Sequence, residues 1–277
     1  MTDYGKLLTD SLKFGLAPKR WLQIFILSAV LSAILFFSMG YSMMTPSFDG
    51  FGMAQIAALV VLFVVFGLIG ILISASITHQ ARSEKKAVCD AYGFAKKRYA
   101  SLIGVVILQL LAIGAVFGVG FGFMALAFLG TLAGVAGVAI GVIVLVVGLI
   151  YLILSFALSV QSVVIGGRGS VEAIKESQRI FRSNFWNLIA VLVIIGLVGY
   201  VIMLLFQIPN MIAMFAVMLP SMMASAFSTG TATVSIPASA SWIFFVTGLI
   251  NSVGSSIFSC MMAKALADFY VEKAKKR

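Results

Sequence analysis

The fold is decided by a pattern that is most complete in RGSVEAIKESQRIFRSNFWNLIAVLVIIGLVGYVIMLLF, residues 168–206. Up to Arg182 this segment mixes basic and apolar residues at helical spacing, and from Phe185 onward it is an uncharged apolar run. A helix of about 20 apolar residues is about 30 Å long, which matches the hydrocarbon core of a membrane. The segment therefore predicts a basic helix at a membrane surface that leads into a membrane-spanning helix.

The same alternation of basic clusters and apolar runs continues outward over the whole chain. All 19 Lys and Arg residues fall into four clusters, at 6–20, 82–98, 168–182 and 264–277. The stretches between the clusters contain a single charged residue, Asp49. Cytoplasmic loops of membrane proteins are enriched in Lys and Arg, so each apolar stretch is expected to leave the cytoplasmic side and return to it. The pattern predicts three hairpins, with the N- and C-termini in the cytoplasm.

The composition supports an integral membrane protein and argues against a soluble one. The chain is 62% hydrophobic and 10% charged, whereas about a quarter of residues are charged in soluble proteins. A net charge of +10 would suggest nucleic acid as a partner of a soluble protein. Beside membrane spans the same charge favours anionic lipid instead, at about 1 kcal/mol for each Lys or Arg near the surface. We therefore expect a multi-pass protein of a prokaryotic cell (plasma) membrane, with no nucleic-acid partner.

The predicted fold class is all-α, with six transmembrane helices arranged as three hairpins. The six spans are expected at 21–44, 53–78, 101–128, 138–164, 185–206 and 242–263, with a turn at 45–50 in the first hairpin. The second hairpin is rich in glycines at G-x-x-x-G spacing, namely Gly118, Gly122, Gly130, Gly134, Gly137 and Gly141. Small residues at this spacing let helices approach closely in lipid, so we expect a tightly packed hairpin. Flexible, gating glycines are the alternative interpretation.

The third hairpin contains a long connection, 207–240, that is interrupted by Pro209, Pro220 and Pro237. It is expected to form a short helix that either lies at the outer membrane interface or is re-entrant. Methionines recur along its first part at helical spacing, at Met211, Met214, Met218 and Met222. They favour an adaptable apolar surface. A thioether site for Cu(I) is the alternative, but no Cys or His lies nearby, and we expect no metal or cofactor.

A weak threefold internal repeat becomes visible when the basic clusters are laid over one another. The matching segments are KLLTDSLKF (6–14), KAVCDAYGF (86–94) and EAIKESQRI (172–180), each followed by an aromatic residue and a span. They predict three cytoplasmic amphipathic helices, each leading into a hairpin, within one integral membrane domain, 1–277. The pseudo-repeats cover about 3–80, 83–167 and 170–267, and the basic tail 264–277 begins the pattern once more.

In the third copy, two helical faces are predicted from the spacing of the side chains. Ile174, Ser177, Phe181 and Phe185 share one face, and Lys175, Arg179 and Arg182 share another. The long basic side chains of the second face can extend to lipid phosphates. The first face is the more apolar side of the predicted amphipathic helix.

The sequence contains no recognisable set of catalytic residues. It has a single histidine, His79, and no nucleophile, zinc or nucleotide-binding motif. The glycines of Gly166-Gly167-Arg168-Gly169 follow an apolar span rather than a strand, so they predict a helix stop. These observations predict that the protein is not an enzyme.

The predicted spans carry neutral polar residues but no charged ones. Gln109, Asn187, Asn251 and Ser255 form the candidate intramembrane polar path. Proton- and ion-coupled carriers usually place charged residues in their spans. The polar residues instead favour hydrogen bonds between helices, or a path for a neutral or amphipathic solute.

The segment from Ser177 to Trp186, with the spacing S-x-R-x-F-x-x-N-F-W, resembles a recurrent segment of prokaryotic six-span membrane-domain families of unknown function. These families are similar to the membrane domain of glycerophosphoryl diester phosphodiesterases, and the ending from Ala265 to Tyr270 is similar to theirs as well. The resemblance implies a six-span fold and a membrane location. It implies no catalytic residues, because the phosphodiesterase chemistry of those proteins belongs to a separate soluble domain.

The sequence as a whole predicts a non-enzymatic membrane protein that engages anionic lipid, or a membrane or cytoplasmic partner protein, through its basic helices. The candidate head-group contacts are Lys13, Lys19, Arg20, Lys96, Lys97, Arg98, Arg179 and Arg182. The alternative function is a permease or exporter for a hydrophobic or neutral solute, in which the pseudo-repeats are the moving parts.

Overall fold

The structure of the protein, a computed structural model, describes residues 3–44, 53–83, 88–126, 132–227 and 238–274. Within these ranges the chain is helical and contains no strand, which confirms the all-α prediction. The helices are α1 (Tyr4–Leu16), α2 (Pro18–Met44), α3 (Met53–Arg82), α4 (Val88–Lys97), α5 (Tyr99–Met124), α6 (Leu132–Phe156), α7 (Ser159–Val164), α8 (Ser170–Ser183), α9 (Phe185–Phe227) and α10 (Ala238–Ala274). The predicted turn at 45–50 and Gly130 lie outside the described residues.

Five helical segments are long and apolar enough to cross a membrane. They are Ala57–Arg82, Tyr99–Met124, Gly134–Val164, Phe185–Val217 and Trp242–Ala274. A sixth is added if Tyr4–Leu16 and Pro18–Ile34, which are bent by 60° at Ala17, count as one broken span. Only 6% to 28% of the residues in the apolar parts of the five segments are buried inside the protein. Apolar surface of this extent needs lipid around it, so the expectation of a multi-pass membrane protein is confirmed.

The last span and the basic tail form one helix. α10 runs from Ala238 to Ala274 without a break, so the tail beyond residue 263 is helical as far as Ala274. Apolar residues of the tail recur at one-turn spacing, and Ala265, Phe269 and Tyr270 are buried. Their packing explains why the helix continues past the membrane span.

The prediction of a separate short helix at 207–240 is wrong as far as the structure describes this segment. α9 continues from Phe185 to Phe227 and passes through Pro209 and Pro220. Each proline removes one backbone hydrogen bond, which long apolar helices tolerate because neighbouring groups satisfy the freed carbonyl. Met211 and Met214 are exposed on this helix, while 228–237 lies outside the described residues.

Three short helices, α1, α4 and α8, stand directly before the long helices α2, α5 and α9. A single residue separates each pair: Ala17, Arg98 or Asn184. Each short helix buries residues one turn apart. They are Leu7, Ser11, Phe14 and Gly15 in α1, Ala91 and Ala95 in α4, and Ala173, Glu176, Ser177, Ile180 and Phe181 in α8.

The buried face of α8 differs from the predicted one. Ser177 and Phe181 are buried as expected, but Ile174 is only partly buried and Phe185 is 37% exposed. The face is centred instead on the line from Ala173 through Glu176 to Ile180. The shift brings an acidic residue into the interior, where arginines neutralise it.

The chain divides into two compact units, each assembled from separate stretches of sequence. Unit 1 consists of Met1–Asp3, Ser74–Leu192 and Ala265–Arg277, and it contains the second and third basic clusters and most of the tail. Unit 2 consists of Tyr4–Ile73 and Val193–Lys264, and it contains the first cluster.

In unit 1 the hairpin of α5 and α6 packs closely through glycines, as predicted. A Cβ atom added at Gly141 would lie 2.6 Å from the carbonyl oxygen of Gly120, and one added at Gly137 would lie 2.8 Å from that of Phe123. Gly118 and Gly122 face open space and take no part in this contact. Close packing is therefore confirmed, but at only some of the predicted glycines.

In unit 2 the helices also meet at small residues. Gly15 packs against Met261, so α1 contacts α10 close to the start of the basic tail. Gly199 packs against the ring of Phe258, and a Cβ atom added at Gly254 would lie 2.9 Å from Cβ of Phe206. Within unit 2, small residues thus join α1 to α10 and α9 to α10.

Replacing Gly141 by Ala should destabilise the protein, whereas replacing Gly118 by Ala should not. The new methyl group at Gly141 would meet a backbone oxygen, and overpacking of this kind costs about 1–3 kcal/mol. At Gly118 there is room, and the better helix propensity of Ala contributes up to about 1 kcal/mol. The free energy of unfolding of the two full-length variants in detergent checks this. Equal stability of the two variants would contradict the glycine contact.

Candidate functional site

The site is built on a break between two helices of unit 1. α6 ends at Phe156 and α7 begins at Ser159, so backbone groups at this point lose their helical partners. The hydroxyl of Ser177 on α8 replaces them. It donates to the carbonyl oxygen of Ser155 at 2.5 Å and accepts from the backbone N–H of Leu158 at 3.2 Å. Because Ser177 is completely buried, this bridge anchors α8 to the end of the bundle.

A buried carboxylate lies next to this bridge. The side chain of Glu176 is only 4% exposed, and it pairs with Arg179 one turn later and with Arg168 at 3.8 Å. A buried charge is tolerated when it is paired in this way. The two ion pairs thus join the glycine-rich segment before α8 and the middle of α8 to one acidic residue.

The exposed side of α8 forms a basic groove, which we call the α8 groove. Its volume is about 450 Å³, and it is lined by Lys175, Gln178, Arg179, Arg182 and Ser183. Arg182 also reaches the hydroxyl of Tyr151 on α6 at 3.5 Å. The structure thus places the three predicted cations of this face side by side, with no acidic residue among the side chains that line the groove.

Aromatic rings extend from the α8 groove toward the membrane span. Phe181 contacts Phe185 with ring centroids 5.3 Å apart, and Phe185 contacts Trp186 at 5.2 Å. Trp186 is 77% exposed. Exposed Trp at the start of a span is typical of the membrane interface.

The predicted helix stop at residues 166–169 is confirmed as a glycine turn. α7 ends at Val164, and Gly167 has φ +70°, a left-handed conformation that favours glycine. Two arginines from other elements secure the turn. Arg82 donates to the carbonyl oxygen of Ile165 at 3.1 Å, and Arg98 donates to that of Gly167 at 2.7 Å.

The glycine turn is also where basic clusters from different parts of the sequence come together. Arg82 and Arg98 belong to the second cluster, and Arg168 in the turn begins the third. Tyr270 of the tail packs with its hydroxyl against Gly166. Within unit 1 the basic clusters therefore lie at one end of the helices, as the charge pattern predicts.

A cavity of about 440 Å³ opens beside the turn, and we call it the arginine cavity. It is lined by His79, Arg82, Ser83, Phe94, Arg98, Val164, Ile165, Gly166 and Gly167. The ring of His79 stacks on Phe94 with centroids 4.1 Å apart. His79 and Arg82 were not predicted as functional residues. In the sequence, only the glycines of residues 166–169 indicated a structured turn at this place.

The remaining candidate head-group contacts lie at the ends of other helices. Lys13 and Lys19 of unit 2 are exposed, and the guanidinium group of Arg20 lies 3.9 Å from the centre of the Phe14 ring. Lys96 and Lys97 of unit 1 are exposed at the end of α4. Only Arg179 and Arg182 of the predicted set line the α8 groove.

The polar-path residues are distributed over both units. In unit 1, Gln109 donates to the hydroxyl of Ser159 at 2.8 Å, and Asn187 is exposed near the start of α9. In unit 2, Ser255 donates to the carbonyl oxygen of Ser252 at 3.0 Å, and Asn251 is partly buried. Gln109 thus links two helices, as expected for polar residues in lipid. The path itself stays a prediction.

The described residues contain no group of three or more His, Cys, Asp or Glu side chains placed to hold a metal ion. The charged side chains at the basic end of unit 1 are mainly guanidinium and ammonium groups. Guanidinium and ammonium groups bind phosphate and carboxylate groups well.

A comparison with protein families gives one match, which covers nearly the whole chain. The profile of a family described as a domain of unknown function, DUF7847, matches residues 21–273. No curated protein and no solved structure matches the chain significantly. The expected resemblance to domains of unknown function is confirmed, while the likeness to the membrane domain of glycerophosphoryl diester phosphodiesterases stays a prediction.

Replacing Ser177 by Ala should destabilise the protein by about 1–3 kcal/mol, because it leaves a buried N–H group and a buried carbonyl group without their partner. The matched control is Ser183→Ala on the same helix, since Ser183 is exposed and its hydroxyl bonds only to Ile180 and to the adjacent Asn184. Unfolding of both full-length variants in detergent measures the difference. A Ser177→Ala variant as stable as the control would show that the bridge does not anchor α8.

Proposed function

We propose that this protein, which belongs to the DUF7847 family of unknown function, is a non-enzymatic membrane protein that binds anionic lipid head groups through its basic helices. The observation that carries the proposal is the α8 groove, where Lys175, Arg179 and Arg182 surround one concave surface. The groove offers a phosphate several charged donors from a single helix.

The chemistry of the groove suits a lipid phosphate. Guanidinium groups bind phosphate through two parallel hydrogen bonds, and lysine adds a mobile point charge. Arg179 is already paired with Glu176, so Lys175 and Arg182 supply most of the uncompensated charge. Each is worth about 1 kcal/mol toward an anionic surface. The neutral residues Gln178 and Ser183 add hydrogen-bonding capacity without repelling an anion.

The internal repeat extends the proposal to the other short helices. Positions that the repeat aligns are buried in all three copies: Ser11, Ala91 and Ser177 form one set, and Gly15, Ala95 and Phe181 form the other. This agreement supports three amphipathic helices that share one way of packing. The exposed lysines of these helices, such as Lys13 and Lys96, would then contact lipid head groups, and we assign them to the cytoplasmic side of a prokaryotic cell membrane.

A second candidate function, a permease for a neutral solute, is favoured by one observation in unit 2. The side-chain oxygen of Asn251 is buried and has no hydrogen-bond partner among the described residues. One turn away on the same helix, Thr247 donates to the side-chain oxygen of Asn210 at 3.0 Å. A solute with a hydrogen-bond donor would satisfy the side-chain oxygen of Asn251, whereas lipid binding at the α8 groove does not involve this residue. Solute-dependent flux that Asn251→Leu abolishes would favour the permease.

The double variant Lys175→Gln/Arg182→Gln should retain phosphatidylglycerol about thirtyfold less well than the unaltered protein, because it loses about 2 kcal/mol of attraction. Binding of phosphatidylcholine should not change. Native mass spectrometry of the full-length protein with each lipid measures both. Neither substituted residue pairs with Glu176, so the anchor of α8 stays intact.

The matched control is Lys96→Gln/Lys97→Gln, which removes the same charge from the end of α4. We expect a smaller loss there, because these lysines are exposed and do not line the groove. Equal losses in the two double variants would mean that charge alone, and not the groove, attracts the lipid. Unchanged retention in the groove variant would disprove the proposal.

A further inference from the structure

We infer that the arginine cavity is a specific binding site for a phosphate group, separate from the α8 groove. The two sites share no lining residue. The cavity combines two guanidinium groups and an imidazole ring at a single turn of backbone. Its volume of about 440 Å³ lies within the range of about 300–1,000 Å³ that is common for small-molecule sites.

The glycine turn positions the two arginines next to each other. Arg82 and Arg98 each donate one N–H group to carbonyl oxygens two residues apart, those of Ile165 and Gly167. A Cβ atom at Gly167 would lie 3.1 Å from Nη2 of Arg98, so the glycine leaves room for the guanidinium group. A guanidinium group has five N–H donors. Each arginine therefore retains donors for a ligand while it holds the turn.

The positive charge at the turn exceeds what the backbone requires. The C-terminal end of a helix carries about half a negative charge, and a single positive charge is enough to compensate it. Two arginines bring two full positive charges to the end of α7, so the surplus is more than one. Two like charges held at one turn repel each other, and a bound anion relieves this repulsion. A phosphate is the best match because it accepts from both guanidinium groups at once.

The other walls of the cavity define the class of ligand further. The ring of His79 is almost fully buried and is held by its stacking on Phe94. Among the described residues that line the cavity, none carries a carboxylate. The volume exceeds that of a phosphate ion, which leaves space for a small substituent. The ligand class is therefore a phosphate or phosphomonoester, either free in solution or as the head group of a lipid such as phosphatidic acid.

The test uses the purified full-length protein in phosphatidylcholine nanodiscs. In one arm, inorganic phosphate and glycerol 3-phosphate are titrated by calorimetry. In the other, phosphatidic acid is added to the nanodiscs and its retention is measured by native mass spectrometry. Saturable binding in the first arm identifies an aqueous source, and binding in the second arm alone identifies a lipid source. Absence of saturable binding in both arms would overturn the inference.

Substitutions of residues that line the arginine cavity test whether the probe binds there. Arg82→Gln should weaken binding of the active probe about tenfold or more, and Arg82→Lys, which keeps the charge, should restore part of it. Ser83→Leu provides a second variant that obstructs the cavity without changing any charge, in case loss of Arg82 impairs folding. It should weaken binding as well. Binding that survives in well-folded Arg82→Gln or Ser83→Leu would overturn the inference.

Two controls separate this site from general charge and from the α8 groove. Lys97→Gln removes a charge adjacent to Arg98 but outside the cavity, and it should leave binding of the probe unchanged. Lys175→Gln/Arg182→Gln should also leave it unchanged, so this site and the lipid-binding groove can succeed or fail separately. An equal loss in Lys97→Gln would show that the phosphate responds only to overall charge.

Discussion

The need to satisfy backbone hydrogen bonds at the break between α6 and α7 governs the basic end of unit 1. Buried or lipid-exposed polar groups without partners are costly, so a broken helix needs a substitute for its missing hydrogen bonds. The hydroxyl of Ser177 supplies that substitute and thereby anchors α8. The pairing of Glu176 and the exposure of Lys175 and Arg182 follow from the orientation in which α8 is held. The position of the α8 groove thus depends on a structural hydrogen bond.

The basic residues of this end divide into two groups with different roles. Arg82, Arg98 and Arg168 bind carbonyl groups or a carboxylate of the protein itself. Lys175 and Arg182 are exposed and line the α8 groove. Guanidinium groups suit the first role because they donate in several directions at once. A basic cluster that signals orientation in the membrane is therefore also part of the fold and a candidate binding surface.

The candidate site was predictable only in part. The side chains of Lys175, Arg179 and Arg182 share a helical face because of their spacing, and the glycines at 166–169 end a helix because of their backbone freedom. Both features are local. Arg82 and Arg98 bind the glycine turn across about 70 or more residues of sequence. The burial of Glu176 depends on how α8 packs against its neighbouring helices. No local pattern encodes such partners.

The pattern of charged and apolar residues is enough to predict a helical protein that spans a membrane several times, because the thickness and polarity of the bilayer impose long uncharged runs between basic clusters. The same pattern predicts the short helices before the long ones. Helix packing, in contrast, is needed to show that α9 continues through Pro209 and that Gly120, Gly137 and Gly141, rather than Gly118, join the second hairpin. It is also needed to show which cations bind groups of the protein itself. These outcomes depend on the rotation of one helix against another, which the packing of distant residues sets.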